Sequence, residues 1–277
     1  MNMTTKKSHQ QYLHRVRQNS PLVLCLTNTV TVTDCANGLL AVGASPVMSE
    51  DPSDAAALAA MASSVVVNIG TINDRQEPVM EAAAKAARDR GLPLVLDPVG
   101  AGASRRRLEA ARKFLEAATI VRGNASEILA LAGDEGLQKG VDSSSAMSDE
   151  LLAEAAAGLA RARGVVVAVS GRVDLVTDGG QLAVIPGGTP LLTKLTGTGC
   201  LLSVIVGAYA GCFPKDQLRA TAAAHMHLAR AAENAQEDLA RPLALGTFKT
   251  RLFDELALLE GSDLDSPKGT GQWRMDA

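Results

Sequence analysis

Cysteine is scarce in this chain of 277 residues, and the four present, Cys25, Cys35, Cys200 and Cys212, include no C-x-x-C pair. That excludes a disulfide framework and fits a reducing cytosol. Long apolar runs are also missing. The longest, Leu201 to Phe213, falls short of the ~20 residues a membrane span needs, and the polar residues Met1 to Asn19 carry no cleavable signal pattern. Nor does one sign of charge dominate. With 27 basic against 30 acidic side chains the net charge is -3 and the pI near 5.8. Without a basic stripe, nucleic acid is disfavoured as a partner, and the short run Arg105-Arg106-Arg107 reads as a solvated helix face. There is no G-x-x-x-x-G-K-[ST] loop and no G-x-G-x-x-G after the first strand, so both common nucleotide motifs are absent. A soluble cytoplasmic protein is expected.

What the chain does have is apolar residue, 47% of the total, enough to fill the core of one large α/β domain. Leu22 to Leu26, Ser64 to Gly70, Pro93 to Asp97, Thr119 to Arg122 and Gly164 to Ser170 read as strands buried on both faces, with a brief extended segment at Ser45 to Ser49. Helical stretches separate them, at Asp34 to Val42, Asp54 to Ala62, Gln76 to Arg90, Leu108 to Ala118 and Asp149 to Arg163. Val173 to Thr177 and Gln181 to Ile185, joined by Asp178-Gly179-Gly180, form an antiparallel hairpin. Three helices close the chain, from Leu201, from Pro214 to Glu233, and from Leu245 to Glu260. This pattern predicts an α/β fold with a mostly parallel, doubly wound sheet flanked by helices on both faces. Residues 1–20 are expected to be a polar, partly helical arm, 21–260 a single domain and 261–277 a disordered tail, with a surface excursion from Gly133 to Ser148.

In open parallel sheets ligands bind beyond the carboxyl ends of the strands, where this chain repeatedly places small or polar residues. Asn28 follows the first strand and suits a substrate contact or a turn bonded to its own backbone. Met48 points into the core or into a pocket. Asp97 ends an apolar strand before Pro98, with Gly100 and Gly102 permitting close backbone approach; a carboxylate there can hold Mg2+ through water beside phosphates, or close an Asx turn. Asn124 and Glu127 have N-cap and N3 spacing, so a capping box explains both, and the same carboxylate can still approach a metal-bound water. His225 and His227, two apart on a helix, point to different faces, which argues against a shared metal. The most pointed stretch runs from Thr193 to Cys200. There Gly197 and Gly199 let the backbone turn before an apolar helix, whose free N–H groups and dipole would face an anion such as phosphate.

A phosphate cradle opposite carboxylates that recruit Mg2+ is the apparatus of phosphoryl transfer. Leu26-Thr-Asn-Thr-Val-Thr31, Ser45-Pro-Val-Met-Ser-Glu50, Leu96-Asp-Pro-Val-Gly100, Arg122-Gly-Asn-Ala-Ser-Glu127 and Thr196-Gly-Thr-Gly-Cys200 closely resemble, in order and spacing, the hydroxyethylthiazole kinases of thiamine salvage, a family of the ribokinase-like superfamily. The resemblance covers about residues 12–260. It implies a ribokinase-like fold without a lid domain, a homotrimer with active sites between subunits, and ATP-dependent, Mg2+-requiring phosphorylation of the hydroxyl of 4-methyl-5-(2-hydroxyethyl)thiazole. It also implies that Met48 and Gly197 contact the thiazole, Asn28 lines the substrate side, and Arg122 and Ser170 contact ATP. Asp97 and Glu127 would then organise the metal and its waters, with Gly197, Thr198, Gly199 and Cys200 forming the anion hole. Most of the superfamily carries Asp where Cys200 stands, as the base for the hydroxyl proton, whereas the thiazole kinases carry Cys. Hydroxymethylpyrimidine kinases and hydrate dehydratases of the superfamily usually have that Asp. A helix N-terminus favours thiolate at Cys200 while adjacent phosphate opposes it, so a modest general base is expected.

Overall fold

The computed structural model describes residues 9–134, 148–237, 239–265 and 274–276. In chain order, α1 (Gln10–Asn19), β1 (Leu22–Leu26), α2 (Val32–Ala41), β2 (Ser45–Val47), α3 (Pro52–Ala59), β3 (Ser64–Asn68) and α4 (Gln76–Arg90) form the first half. There follow β4 (Leu94–Asp97), α5 (Arg105–Leu115), β5 (Ile120–Asn124), α6 (Ala125–Asp134), α7 (Asp149–Arg163) and β6 (Val166–Ser170). The hairpin is β7 (Val173–Thr177) with β8 (Leu182–Pro186), and a 3-10 turn at Pro190–Lys194 leads into α8 (Thr198–Cys212), α9 (Gln217–Glu237), α10 (Leu245–Leu258), α11 (Gly261–Asp265) and β9 (Arg274–Asp276).

All described strands join one sheet in the order β2-β1-β3-β4-β5-β6-β7-β8-β9, so no second sheet forms a lid among the described residues. The first six pair in parallel, and β7, β8 and β9 are each antiparallel to the preceding strand. The chain steps outward from β1 to β2 and then returns past β1 to β3, which makes a topological switch point at the carboxyl ends of β1 and β3.

The period of two along each strand separates two apolar cores. Val23, Cys25, Val66, Val95 and Ala168 face the layer of α1, α2, α8, α9 and α10, while Leu24, Leu26, Val65, Val67, Leu94, Leu96 and Val167 face α3 to α7. Helix α8 is the centre of the first layer, and every residue from Leu201 to Ala210 is buried. Gly207 allows its close approach to the sheet, since a Cβ there would lie 2.6 Å from a Val66 methyl, and Ser64 Oγ donates to the Gly207 carbonyl at 2.7 Å.

Local chemistry shifts several boundaries from those expected. Asp51 accepts the N–H groups of Ser53 and Asp54, and with Pro52 next to it starts α3 ahead of the expected Asp54. Ser104 accepts the Arg107 N–H and starts α5 before the expected Leu108. Arg105 and Arg106 are exposed and paired with Glu109 and Asp74, but Arg107 turns inward and donates to the carbonyls of Val99 and Gly70, which corrects the solvated-face reading at that residue. The described parts of the arm and tail pack onto the fold more than expected, while residues 1–8, 266–273 and 277 lie outside the described residues. Helix α1 buries Tyr12, Leu13 and Val16, and Tyr12 donates to Asp216 Oδ2 at 2.8 Å, so this segment belongs to the domain. Beyond residue 260, α11 buries Leu264, and β9 extends the sheet through Ala183 and its neighbours. Low apolar content does not show that a few side chains find the core or that an edge strand gains backbone pairing. Apart from its ends, the Gly133 to Ser148 excursion lies outside the described residues. Among those residues no helix is long and apolar enough to cross a membrane.

His227 is fully buried, with Nε2 donating to the Leu256 carbonyl at 3.0 Å, which leaves Nδ1 to accept from the Tyr209 hydroxyl at 2.8 Å. Burial, and then Arg17, depress its pKa from 6.5 to about 3. The unfolded chain therefore binds this proton below about pH 6.5 and the folded chain only near 3, so stability should fall as pH drops across that window, a slope that His227→Leu removes in urea unfolding. Tyr209→Phe should cost about 1–3 kcal/mol at neutral pH by the same measurement, and a variant as stable as the parent would show that the bond contributes nothing.

Candidate active site

The carboxyl edge of the sheet gathers most of the residues singled out from the sequence. Gly197 caps α8 with φ +86°, a left-handed conformation open to glycine, and a Cβ there would collide with the Thr31 methyl. A Cβ on Gly199 would lie 2.7 Å from Arg122 Nη1, so the guanidinium rests against bare backbone. The first N–H groups of α8, on Thr198, Gly199 and Cys200, precede the first in-helix donor, Leu201, whose N–H bonds back to the Gly197 carbonyl. Thr198 Oγ1 donates to the Leu192 carbonyl at 3.0 Å and ties the turn to the 3-10 segment.

Asp97, at the end of β4, is fully buried. Its Oδ2 accepts from Asn68 Nδ2 at 2.7 Å and from Ser203 Oγ at 2.8 Å, while Oδ1 has no hydrogen-bond partner among the described residues. Burial lifts its pKa to about 6; Arg122, Ser203 and Asn68 oppose the rise, and Glu127 adds to it. Arg122, itself buried, donates to Ser170 Oγ and keeps its Nε without a partner among the described residues. Asn124 and Glu127 form the expected capping box, with Glu127 N–H donating to Asn124 Oδ1 at 3.1 Å and Asn124 N–H to Glu127 Oε2 at 2.8 Å. Glu127 Oε1 accepts the Gly100 N–H at 3.0 Å, which binds the loop after Asp97 to the start of α6.

On the other side of the turn, Asn28 Nδ2 lies 3.1 Å from Cys200 Sγ. Against the partial ionisation expected of a modest base at Cys200, burial, and then the nearby Asp97, push its pKa up, opposed by the neighbouring side chains of Asn68, Thr31 and Asn28. The helix end does not offset the loss of water. Met48, after the edge strand β2, both packs against the core and lines a cleft of about 350 Å³ with Thr29, Val32, Asn73 and Gln76. That cleft adjoins the β1 end and does not include the Gly197 to Cys200 turn. The sequence alone does not single out Asn68, Ser203, Thr31 or Arg107. Asn68 carried the same signal as Asp97, a polar residue ending an apolar strand, and Ser203 is a lone hydroxyl three residues along α8 from Cys200.

The sheet order and the helix layers are those of the ribokinase-like fold. A ribokinase-like superfamily protein from Enterococcus faecalis superposes with a TM-score of 0.56 at 13% identity, covering 93% of this chain and 93% of that one. The family-level match is closer. The model of the Hydroxyethylthiazole kinase family matches residues 13–261, and the chain belongs to that family. A hydroxyethylthiazole kinase from Methanocella arvoryzae is 44% identical over 254 residues, 91% of this chain and 93% of the relative. The solved structure of hydroxyethylthiazole kinase from Pyrococcus horikoshii superposes with a TM-score of 0.87 at 34% identity, over 97% of this chain and 99% of the other. Membership makes the protein a kinase and implies ATP as co-substrate.

Because the folded pKa of Asp97 is raised from 3.8 to about 6, folded protein holds this proton across that interval, and stability contributed by the neutral acid is lost as pH rises through it. Asp97→Asn should therefore gain about 1–3 kcal/mol at pH 8 and nothing below pH ~4 in denaturant unfolding; no gain at pH 8 would show that the buried charge is not under strain.

Proposed function

We propose that this protein transfers the γ-phosphoryl group of ATP to the hydroxyl of 4-methyl-5-(2-hydroxyethyl)thiazole, by direct in-line displacement with Mg2+, in a cytoplasmic salvage route to thiamine phosphate. The observation that carries this reading beyond the family match is the convergence on the first turns of α8 of Asn28 at Cys200, Arg122 against Gly199 and Asp97 at Ser203. The hydroxyl oxygen bonds to the γ-phosphorus as the bond to the bridging oxygen of ADP breaks, and the hydroxyl proton leaves late, to an oxygen of the transferred phosphoryl group. The N–H groups of Thr198, Gly199 and Cys200 are aimed to take the equatorial oxygens, with Arg122 adding positive charge beside them. Arg122 and Ser170 suit the nucleotide side, and Met48 with Gly197 the thiazole side.

Among the described residues no group of three or more His, Cys, Asp or Glu side chains gathers as a metal cage. The donors present fit Mg2+ all the same, since that ion is commonly held by one or two carboxylates, waters and substrate phosphates. Asp97, with an unpartnered Oδ1, and Glu127 would hold it. When bound it would neutralise charge on the phosphate oxygens.

A thiol kept protonated by burial is a weak base, so Cys200 chiefly positions the hydroxyl. In a loose transfer little proton movement is needed early, and positioning outweighs deprotonation. ADP formation should depend on the thiazole alcohol, and its absence would overturn the reading. Cys200→Ala should lower kcat by about 10²-fold, the size of effect a lost positioning contact can have; an unchanged kcat would remove Cys200 from the step. A homotrimer with sites between subunits agrees with Val30 and Val32, exposed beside Asn28. Val30→Asp should reduce the assembled mass in light scattering together with activity, and a parent protein of single-chain mass would overturn the assembly.

A further inference from the structure

Asn28 and Asn68 form a chain of amides whose direction is fixed at both links. Asn28 Oδ1 accepts the Val30 N–H at 3.1 Å and the Thr31 hydroxyl at 3.2 Å, so the other end of the amide must be the donor. Its two hydrogens go to Cys200 Sγ and to Asn68 Oδ1, each at 3.1 Å. Asn68 Oδ1 also accepts the Gly70 N–H at 2.9 Å, which leaves Asn68 Nδ2 to donate to Asp97 Oδ2 at 2.7 Å. Neither amide can flip without setting a backbone N–H against an NH2 group, and both side chains are buried, at 4% and 1% exposure.

Counting capacity changes the role of Asn28. Both lone pairs of its oxygen and both hydrogens of its nitrogen are engaged within the protein. It has no polar group left for substrate, and it acts instead on Cys200. Asn68 then bridges the two halves of the site, because one side chain holds the amide that grips the Cys200 sulfur and also the Asp97 carboxylate.

We propose that Asn68 is a positioning residue for phosphoryl transfer, fixing the Cys200 sulfur on the acceptor side and the Asp97 carboxylate on the phosphate side as one unit. The proposal rests on the function given above, in which those two groups flank the reacting atoms. Ser203 provides an internal contrast. It donates to the same Asp97 Oδ2 but makes no bond to Asn28. Val67 provides another, as a buried side chain on the opposite face of the same strand.

The test uses the full chain in four forms: parent, Asn68→Ala, Ser203→Ala and Val67→Ala. Steady-state kinetics with ATP and the thiazole alcohol are measured beside the pH profile of Cys200 alkylation by iodoacetamide, read by peptide mass spectrometry. The charged and titratable groups facing Cys200 are Asp97 and the Cys35 thiol, with Arg122 beyond Gly199. Asn68→Ala should lower kcat by roughly 10- to 100-fold while KM for the alcohol stays within about threefold. It should also move the midpoint of Cys200 alkylation upward, because the sulfur loses a fixed donor. Ser203→Ala should not move that midpoint upward, and Val67→Ala should change kcat by less than about threefold. If the alanine variant does not fold, Asn68→Asp keeps the acceptor for Gly70 and Asn28, opposes Asp97, and carries the same expectation for kcat. The proposal is overturned if Asn68 variants keep kcat within about twofold of the parent, or if Ser203→Ala shifts the midpoint upward as far as Asn68→Ala. A parent without thiazole-dependent turnover would count against the proposed function instead, and the alkylation profiles would then decide the amide chain on their own.

Discussion

The site depends on a carboxylate held out of water. Asp97 has no exposed surface, and donors from Asn68 and Ser203 converge on one of its oxygens while the other has no partner among the described residues. Two hydrogen bonds and a neighbouring guanidinium do not offset the lost hydration, since the pKa still rises to about 6. In the proposed transfer, a cation beside the phosphates would relieve a charge kept under that strain. Folding supplies the strain, because β4 ends at Asp97 in the middle of the sheet, with strands on both sides and α8 across the top.

Helix α8 connects core packing to this chemistry. Its apolar body is buried all round, and Gly207 brings it onto Val66 while Ser64 bonds its backbone. Once the helix is fixed on the sheet, its first turn has little freedom. Cys200 and Ser203, three residues apart, lie on one face of the helix. They therefore meet the ends of β1 and β4 together, one through Asn28 and the other directly at Asp97. A cavity made under α8 would thus disturb the site as well as the core.

The parallel strands were legible because β-branched runs bounded by small residues have few alternatives, and Asp178-Gly179-Gly180 marked the hairpin for the same reason. The capping box of Asn124 and Glu127 could be read from spacing alone, being local. Asn28 and Asp97 could be picked out as polar residues at the ends of apolar strands, and the Gly197 to Cys200 turn as small residues leading into an apolar helix. Other features depend on contacts distant in sequence. Tyr12 anchors α1 to Asp216, 204 positions away, and nothing in a polar N-terminal segment encodes that partner. Arg107 looked like its two neighbours until the positions of Val99 and Gly70 gave it acceptors. The protonation of Cys200 could not be read from its place at a helix end, because the helix favours thiolate locally while burial and Asp97 act through the assembled fold.

That last conflict bears on why a thiol suits this position. Asp97 already places a strained carboxylate near the turn, and ATP would bring further negative charge to the first N–H groups of α8. A second carboxylate at residue 200 would add repulsion to both, whereas a neutral sulfur adds none and still accepts the Asn28 N–H. The cost is basicity. In the proposed transfer, such a site would obtain its rate from where it holds the hydroxyl and the phosphoryl group rather than from how strongly it removes a proton. The saturated hydrogen bonding of Asn28, and the three bonds that fix the Asn68 amide, meet that requirement, since a group held on several sides can hold its neighbour in one place.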